Sequence, residues 1–363
     1  MWFVLSQIWR VLKRVIAYVG LMIAVVVLSG VAFRVYRQYR IEAQTHIDTS
    51  KGIAEEGFVS IGEIDQWVSI RGVDRNNPVL LLLHGGPGIT TSANPRTILR
   101  GWERQFTLVQ WDQRGAGRTF GRSGPVGSDA TIDTMVRDGL AVAEYARTKL
   151  QRQKIILLGF SWGAILGVHM IKARPELFWA YVGTGQLSNY QRDRRLAYNQ
   201  LVSEARARNE REALTELAAI GPPPYTSTAD AAVHTKWAND FEPRGSSGWE
   251  MARNVLFESP LSLLQVRDYM RGLISSQDHF RRLVNGVDLD SLGPEFTIPV
   301  FVFNGSQDNV APTKSAETYL QSIRAPRKLF VPIEDAGHTA IFTKTETFLA
   351  LLTEHVRPQA FEQ

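Results

Sequence analysis

The chain of 363 residues contains no cysteine, which excludes a structural disulfide, a thiolate zinc site, an iron–sulfur cluster and a cysteine nucleophile. Acidic residues are missing from the first 40 positions, where Arg10, Lys13, Arg14, Arg34, Arg37 and Arg40 stand unopposed. Those six account for the formal charge of +5: of 41 Lys and Arg they leave 35, against 36 Asp and Glu. The rest of the chain therefore has no basic excess, and no nucleic-acid partner is expected. Internal repeats and low-complexity tracts are also lacking. There is no shortage of core material, however, because 44% of the residues are hydrophobic and only 21% are charged. A largely disordered chain is excluded, and the length suits one large domain or a core carrying an inserted lid.

Among the features present, the uncharged stretch Val15 to Phe33, VIAYVGLMIAVVVLSGVAF, is long enough for a helix to cross the hydrocarbon core of a bilayer. A single-pass anchor within residues 1–44 is the expectation. A cleaved secretory signal is the alternative, since basic residues precede the stretch and Ser29 and Gly30 stand near its end, but the apolar run is longer than a signal needs and no A-x-A site closes it. Three basic residues on each side leave the orientation undecided.

From about residue 45 short apolar runs alternate with helical periodicity, the pattern of a mostly parallel sheet with helices on both faces. Segments 58–61 and 66–70 read as antiparallel strands. PVLLLL (78–83), FTLVQW (106–111), KIILLG (154–159), PVFVFN (299–304) and KLFVPI (328–333) read as strands buried on both faces. Helical periodicity marks 132–149, 162–174, 315–322 and 343–356. Between Gly185 and Pro299 the strand pattern stops. The charged, helix-prone residues there imply a helical cap over 187–294, inserted into a core of 45–186 and 295–363.

Gly159-Phe160-Ser161-Trp162-Gly163 follows one of these strands and leads into a helix, the context of a nucleophile elbow. The small residues permit the sharp turn that lifts a serine hydroxyl clear of the sheet, although a serine merely capping a helix fits the bare pattern too. A serine nucleophile needs a base and an orienting acid. His338 and Asp308 both follow predicted strand ends, where sites form in open α/β sheets, and the order Ser161, Asp308, His338 is that of an α/β hydrolase. Glu334 and Asp335 are fallback acids. After another strand, His84-Gly85-Gly86-Pro87-Gly88 offers a backbone N–H to an oxyanion; Gly86 is the first choice and Gly85 the second, with Trp162 supplying the other donor. His84 reads as structural. No Gly-Lys-Ser/Thr follows, so a phosphate loop is excluded, and neither HExxH nor a clustered ligand set indicates a metal. No cofactor is expected.

Together HGGPG (84–88), DQRGAGRT (112–119), GFSWGA (159–164), GSQD (305–308) and AGH (336–338) resemble the proline iminopeptidase family of serine α/β hydrolases, from about Gly57 onward. The resemblance implies an α/β-hydrolase fold with a helical cap, a Ser161, Asp308, His338 triad and release of N-terminal proline or small residues from peptides. Asp112 and Arg114 would be internal scaffold. In that family cap glutamates hold the substrate's ammonium, the first in a Trp-x-x-Trp-Glu motif. Here the corresponding string is Trp237-Ala238-Asn239-Asp240-Phe241-Glu242, without the second tryptophan. Glu242, Glu250 and Glu258 are the candidates, although each reads more readily as part of a solvated helix face. A small ester or amide substrate is the close rival to a peptide. Epoxide hydrolase and dehalogenase chemistry is disfavoured because Ser161 stands where a carboxylate is needed, and a non-catalytic binding protein remains the alternative of a different class.

Overall fold

Alternate residues of the central strands enter two different cores, and that alternation sets the architecture. The structure, a computed structural model, describes residues 2–225, 227–243 and 252–361. In β3 (Val79–Leu83), Val79, Leu81 and Leu83 join one hydrophobic cluster while Leu80 and Leu82 join the other. The same division holds in β5 (Ile155–Phe160) and β7 (Val300–Gly305), where Phe301 and Phe303 face the second cluster. A period of two in continuous apolar runs has this outcome when helices cover both faces.

The sheet has eight strands in the order β1-β2-β4-β3-β5-β6-β7-β8, completed by β1 (Ile53–Ile61), β2 (Ile64–Gly72), β4 (Thr107–Asp112), β6 (Phe178–Thr184) and β8 (Lys328–Ile333). β1 and β2 are antiparallel to their neighbours, and the other pairs are parallel. One face is covered by α3 (Ile132–Leu150) and α4 (Trp162–Ala173), the other by Trp102 and the C-terminal helical segment containing Phe348, Leu352 and Val356. A capping box between Thr131 and Thr134 starts α3, and Gln151 in the left-handed conformation ends it. The short α2 (Gly117–Ser123) follows β4. Strand β6 did not stand out in the sequence: FWAYVGT mixes aromatic and small residues, yet it pairs with β5 from Ile155 to Phe160.

Between β6 and β7 lie α5 (Tyr190–Ala207), α6 (Arg211–Ile220), α7 (Thr228–Phe241) and α8 (Leu263–Asn285). Helices α5 to α7 have a core of their own, built on Leu201, Leu217, Trp237 and Phe241. The end of α8 instead enters the main core through Phe280 and Val284, so the described helices of the inserted segment differ: α5 to α7 share a core of their own, and α8 is fused to the sheet layers. After β7, α9 (Thr313–Ser322) packs Tyr319 and Leu320 onto the first face.

The apolar stretch of the N-terminus is part of one helix, α1 (Trp2–Gln44), of 43 residues. At 1.5 Å per residue it is about 65 Å long, roughly twice a hydrocarbon core. It satisfies the length and hydropathy of a membrane span or signal sequence, and the apolar window is wholly uncovered by protein. Beyond Phe33 the helix docks on the domain: Arg34 and Gln38 donate to the Leu261 carbonyl, and Arg37 pairs with Glu258 at 2.8 Å.

Candidate active site

Register brings the site together. Leu83 pairs with Gly159 and Phe160 with Thr184, so β3, β5 and β6 end at one level. The loops leaving β7 and β8 join them, since Gly305 pairs with Ile333. Sites in open α/β sheets lie at such carboxyl ends.

Ser161 has φ 54° and ψ −115°, a sparsely populated conformation that persists only when its surroundings hold it. They do so through close approach: a Cβ at Gly163 would stand 2.2 Å from the Leu83 carbonyl oxygen, so only glycine lets α4 begin against β3. The Ser161 N–H donates to the Thr184 carbonyl at 2.9 Å, closing the turn. Ser161 Oγ then lies 3.0 Å from His338 Nε2. On the other side of the ring, His338 Nδ1 lies 2.9 Å and 3.1 Å from the two carboxylate oxygens of Asp308. An ionised carboxylate only accepts, so Nδ1 carries the proton and Nε2 presents its lone pair to the serine hydroxyl.

Asp308 is fully buried and fixed by the N–H groups of Val310 at 2.9 Å and Ala311 at 2.7 Å. Burial of His338 opposes its protonation, but the Asp308 charge and hydrogen bond, and then the Glu242 charge, outweigh it and hold the imidazole above its usual value. The Phe160 ring lies 5.2 Å from the imidazole.

Glu242, at the end of α7, is nearly buried and engaged by backbone. Its Oε1 accepts from the Asn309 N–H and its Oε2 from the His338 N–H, both at 2.8 Å. Burial and the neighbouring Asp308 push its pKa up to about 7. The residue expected on a solvated helix face or beside a substrate amine is thus a brace between the cap and the loops carrying Asp308 and His338. Glu258 is turned elsewhere, paired with Arg37 of α1, and Glu250 lies outside the described residues.

Gly86 has φ +116°, and a Cβ there would meet the Gly88 and Ile89 nitrogens at 2.6 Å and 2.7 Å, so glycine is required at the loop after β3. His84 is fully buried, with Nδ1 2.9 Å from the Gly85 carbonyl and Nε2 accepting from the Gln113 N–H at 3.2 Å. Burial lowers its pKa to about 4, so it stays neutral and holds the loop. Trp162 is the first residue of α4, where an N–H has no partner within the helix. Its indole donates to Gln113 Oε1 at 3.0 Å, and its ring lies 5.1 Å from Phe280 of α8.

Asp112 and Arg114 hold loops at a remove from the serine. Asp112 accepts from the Arg118 N–H at 2.8 Å and from Ser92, while Arg114 reaches both oxygens of Asp138 at 2.8 Å and 3.1 Å. Among the described residues no group of three or more His, Asp or Glu is placed to hold a metal ion.

The family model of the alpha/beta hydrolase fold matches residues 78–345, and the chain belongs to that family. Within it, the chain is related at low identity to the proline-iminopeptidase branch. It is 28% identical over 317 residues to the protein named "Probable aminopeptidase YbaC" of Bacillus subtilis (strain 168), across 86% of this chain and 99% of that one. The match to the "Probable proline iminopeptidase" of Streptomyces coelicolor is 31% identical over 105 residues, 29% of this chain and 32% of the relative. Among solved structures, the proline iminopeptidase of Mycobacterium smegmatis superposes with a TM-score of 0.62 at 20% identity, covering 85% of this chain and 99% of that one; at that identity the likeness concerns the fold.

Proposed function

We propose that the chain is a membrane-anchored serine hydrolase that works through an acyl-enzyme. The observation that carries this reading is the continuous hydrogen-bonded line from Ser161 Oγ through His338 to Asp308. Ser161 attacks a substrate carbonyl carbon as His338 Nε2 takes the hydroxyl proton, and Asp308 stabilises the resulting imidazolium. The N–H groups of Gly86 and Trp162 hold the developing oxyanion. His338 then gives its proton to the departing amine or alkoxide, leaving an ester on Ser161. Water, deprotonated by His338, cleaves that ester, and collapse of the second tetrahedral intermediate returns the proton to Ser161.

The first substrate reading is a peptide with an N-terminal proline or small residue, supported by the motifs and by the aminopeptidase name of the full-length relative. A small ester or amide is the second, because nothing in the Ser161, His338, Asp308 line selects a leaving group. The anchor is supported by the uncovered apolar window and by the unbroken helix that joins it to the docked segment.

Purified full-length protein tested on prolyl and alanyl arylamides and on a short-chain aryl ester, with Ser161→Ala alongside, separates these readings. Turnover of prolyl arylamide that the variant lacks supports the peptidase. Cleavage of the ester alone keeps the mechanism and replaces the substrate. Cleavage of neither substrate, with no reaction of Ser161 toward an organophosphorus probe, leaves a binding protein.

A further inference from the structure

Helix α8 has two faces with opposite surroundings. Its inner face roofs the candidate site: Phe280 packs on Trp162, and a Cβ at Gly88 would stand 2.9 Å from Ser276 Cβ. Its outer face leaves Leu263, Met270 and Ile274 uncovered, at spacings of seven and four that place them one above another. Leu264 borders this row, and Leu256 in the preceding turn extends it; all five are between 40% and 59% exposed. Arg267 and Arg271 are interleaved on the same face. Scattered apolar residues on a surface are ordinary, but a continuous apolar row beside arginines, whose long side chains can reach lipid headgroups, suits a helix lying against a membrane interface.

Its position supports the same occupant. Phe33, the last residue of the apolar stretch, lies edge-on to Phe257 with ring centroids 5.7 Å apart. Gln38 donates to the Ser259 carbonyl at 2.8 Å and Arg37 pairs with Glu258. The turn leading into α8 is therefore fastened to α1 at the point where the apolar stretch ends.

We infer that the outer face of α8, with Leu256, rests on the surface of the membrane that α1 enters, its leucines in the interfacial layer and its arginines toward lipid phosphates. The inference rests on α1 being a membrane anchor. It makes the roof of the site and the lipid-facing helix one element, so the hydrolase domain is held in a fixed attitude on the bilayer instead of swinging on a tether.

A chain without cysteine suits single-cysteine reporters. Full-length protein carrying Val25→Cys in α1, Leu264→Cys or Ile274→Cys in α8, or Thr318→Cys in α9 would each be labelled with an environment-sensitive fluorophore. The proteins would be reconstituted into phosphatidylcholine and phosphatidylglycerol vesicles with and without spin-labelled lipid. The expected result is quenching at Val25, Leu264 and Ile274 with none at Thr318. Quenching at Val25 with Leu264 and Ile274 as silent as Thr318 overturns the inference and leaves the anchor standing. No quenching at Val25 overturns the anchor, and the inference with it. Oxidation of unlabelled Ile274→Cys to a disulfide dimer, without lipid quenching of the labelled form, assigns the face to a second copy of the chain and also overturns it.

Discussion

The sheet and the cap hold the candidate functional groups by different means. Ser161, Gly86, Asp308 and His338 each follow a strand whose neighbours fix its register, so ladder hydrogen bonds determine where those residues emerge. Glu242, Glu258 and the outer face of α8 belong to elements placed by side-chain contacts with distant segments, such as Glu242 to His338 and Arg37 to Glu258. In the proposed reading, chemistry that tolerates little displacement sits on the sheet and contacts with substrate or membrane sit on the cap, where, Glu242 apart, sequence can change with less effect on the serine.

Breaking the sheet side has the largest expected effects. Ser161→Ala or His338→Ala lowers kcat by about four to six orders of magnitude with the fold intact, measured on whichever substrate the wild type cleaves. Asp308→Asn presents the wrong hydrogen-bonding pattern to His338 Nδ1 and costs about 10⁴-fold. For stability, Leu82→Ala in the doubly covered strand costs about 2–5 kcal/mol, whereas Leu264→Ala on the exposed cap surface changes stability in detergent by about 0.5 kcal/mol or less; denaturation midpoints decide. Equal losses at the two positions would erase the distinction between the regions.

Glu242→Gln sharpens the comparison, because that residue joins the two sides. Glu242, with its pKa pushed up to about 7, carries part of a charge where His338 titrates, and removing it takes away one of the interactions that hold His338 above its usual value. The imidazole then loses its proton at lower pH, and the acid limb of the kcat/KM profile moves to lower pH. A brace role predicts that limb shift together with a fall in kcat; a rise in KM for prolyl arylamide with the limb unmoved would make Glu242 the amine-binding residue instead. The smallest effect belongs to Glu258→Gln, which loses a part-exposed pair worth about 0–1 kcal/mol and leaves turnover unchanged.

Strand ends and their motifs were legible because each is local. A glycine-flanked serine after a buried run, and an aspartate and a histidine after two later runs, keep their meaning without knowledge of the rest of the chain. What escaped was non-local or locally ambiguous. Nothing near Glu242 announces that the N–H groups of residues 67 and 96 positions away bind it. The docking of α1 beyond Phe33 uses acceptors around Leu261, more than 200 positions away in the sequence. Strand β6 was hidden because Trp179, Tyr181 and Gly183 obscure its period, although Tyr181 and Val182 are fully buried between β5 and β7.

Mass spectrometry of full-length protein treated with a fluorophosphonate tests the central claim most directly. The account predicts one adduct, on the peptide containing Ser161, and its loss in His338→Ala, where the hydroxyl has no base. An unmodified Ser161, or an adduct that persists undiminished without His338, would contradict it.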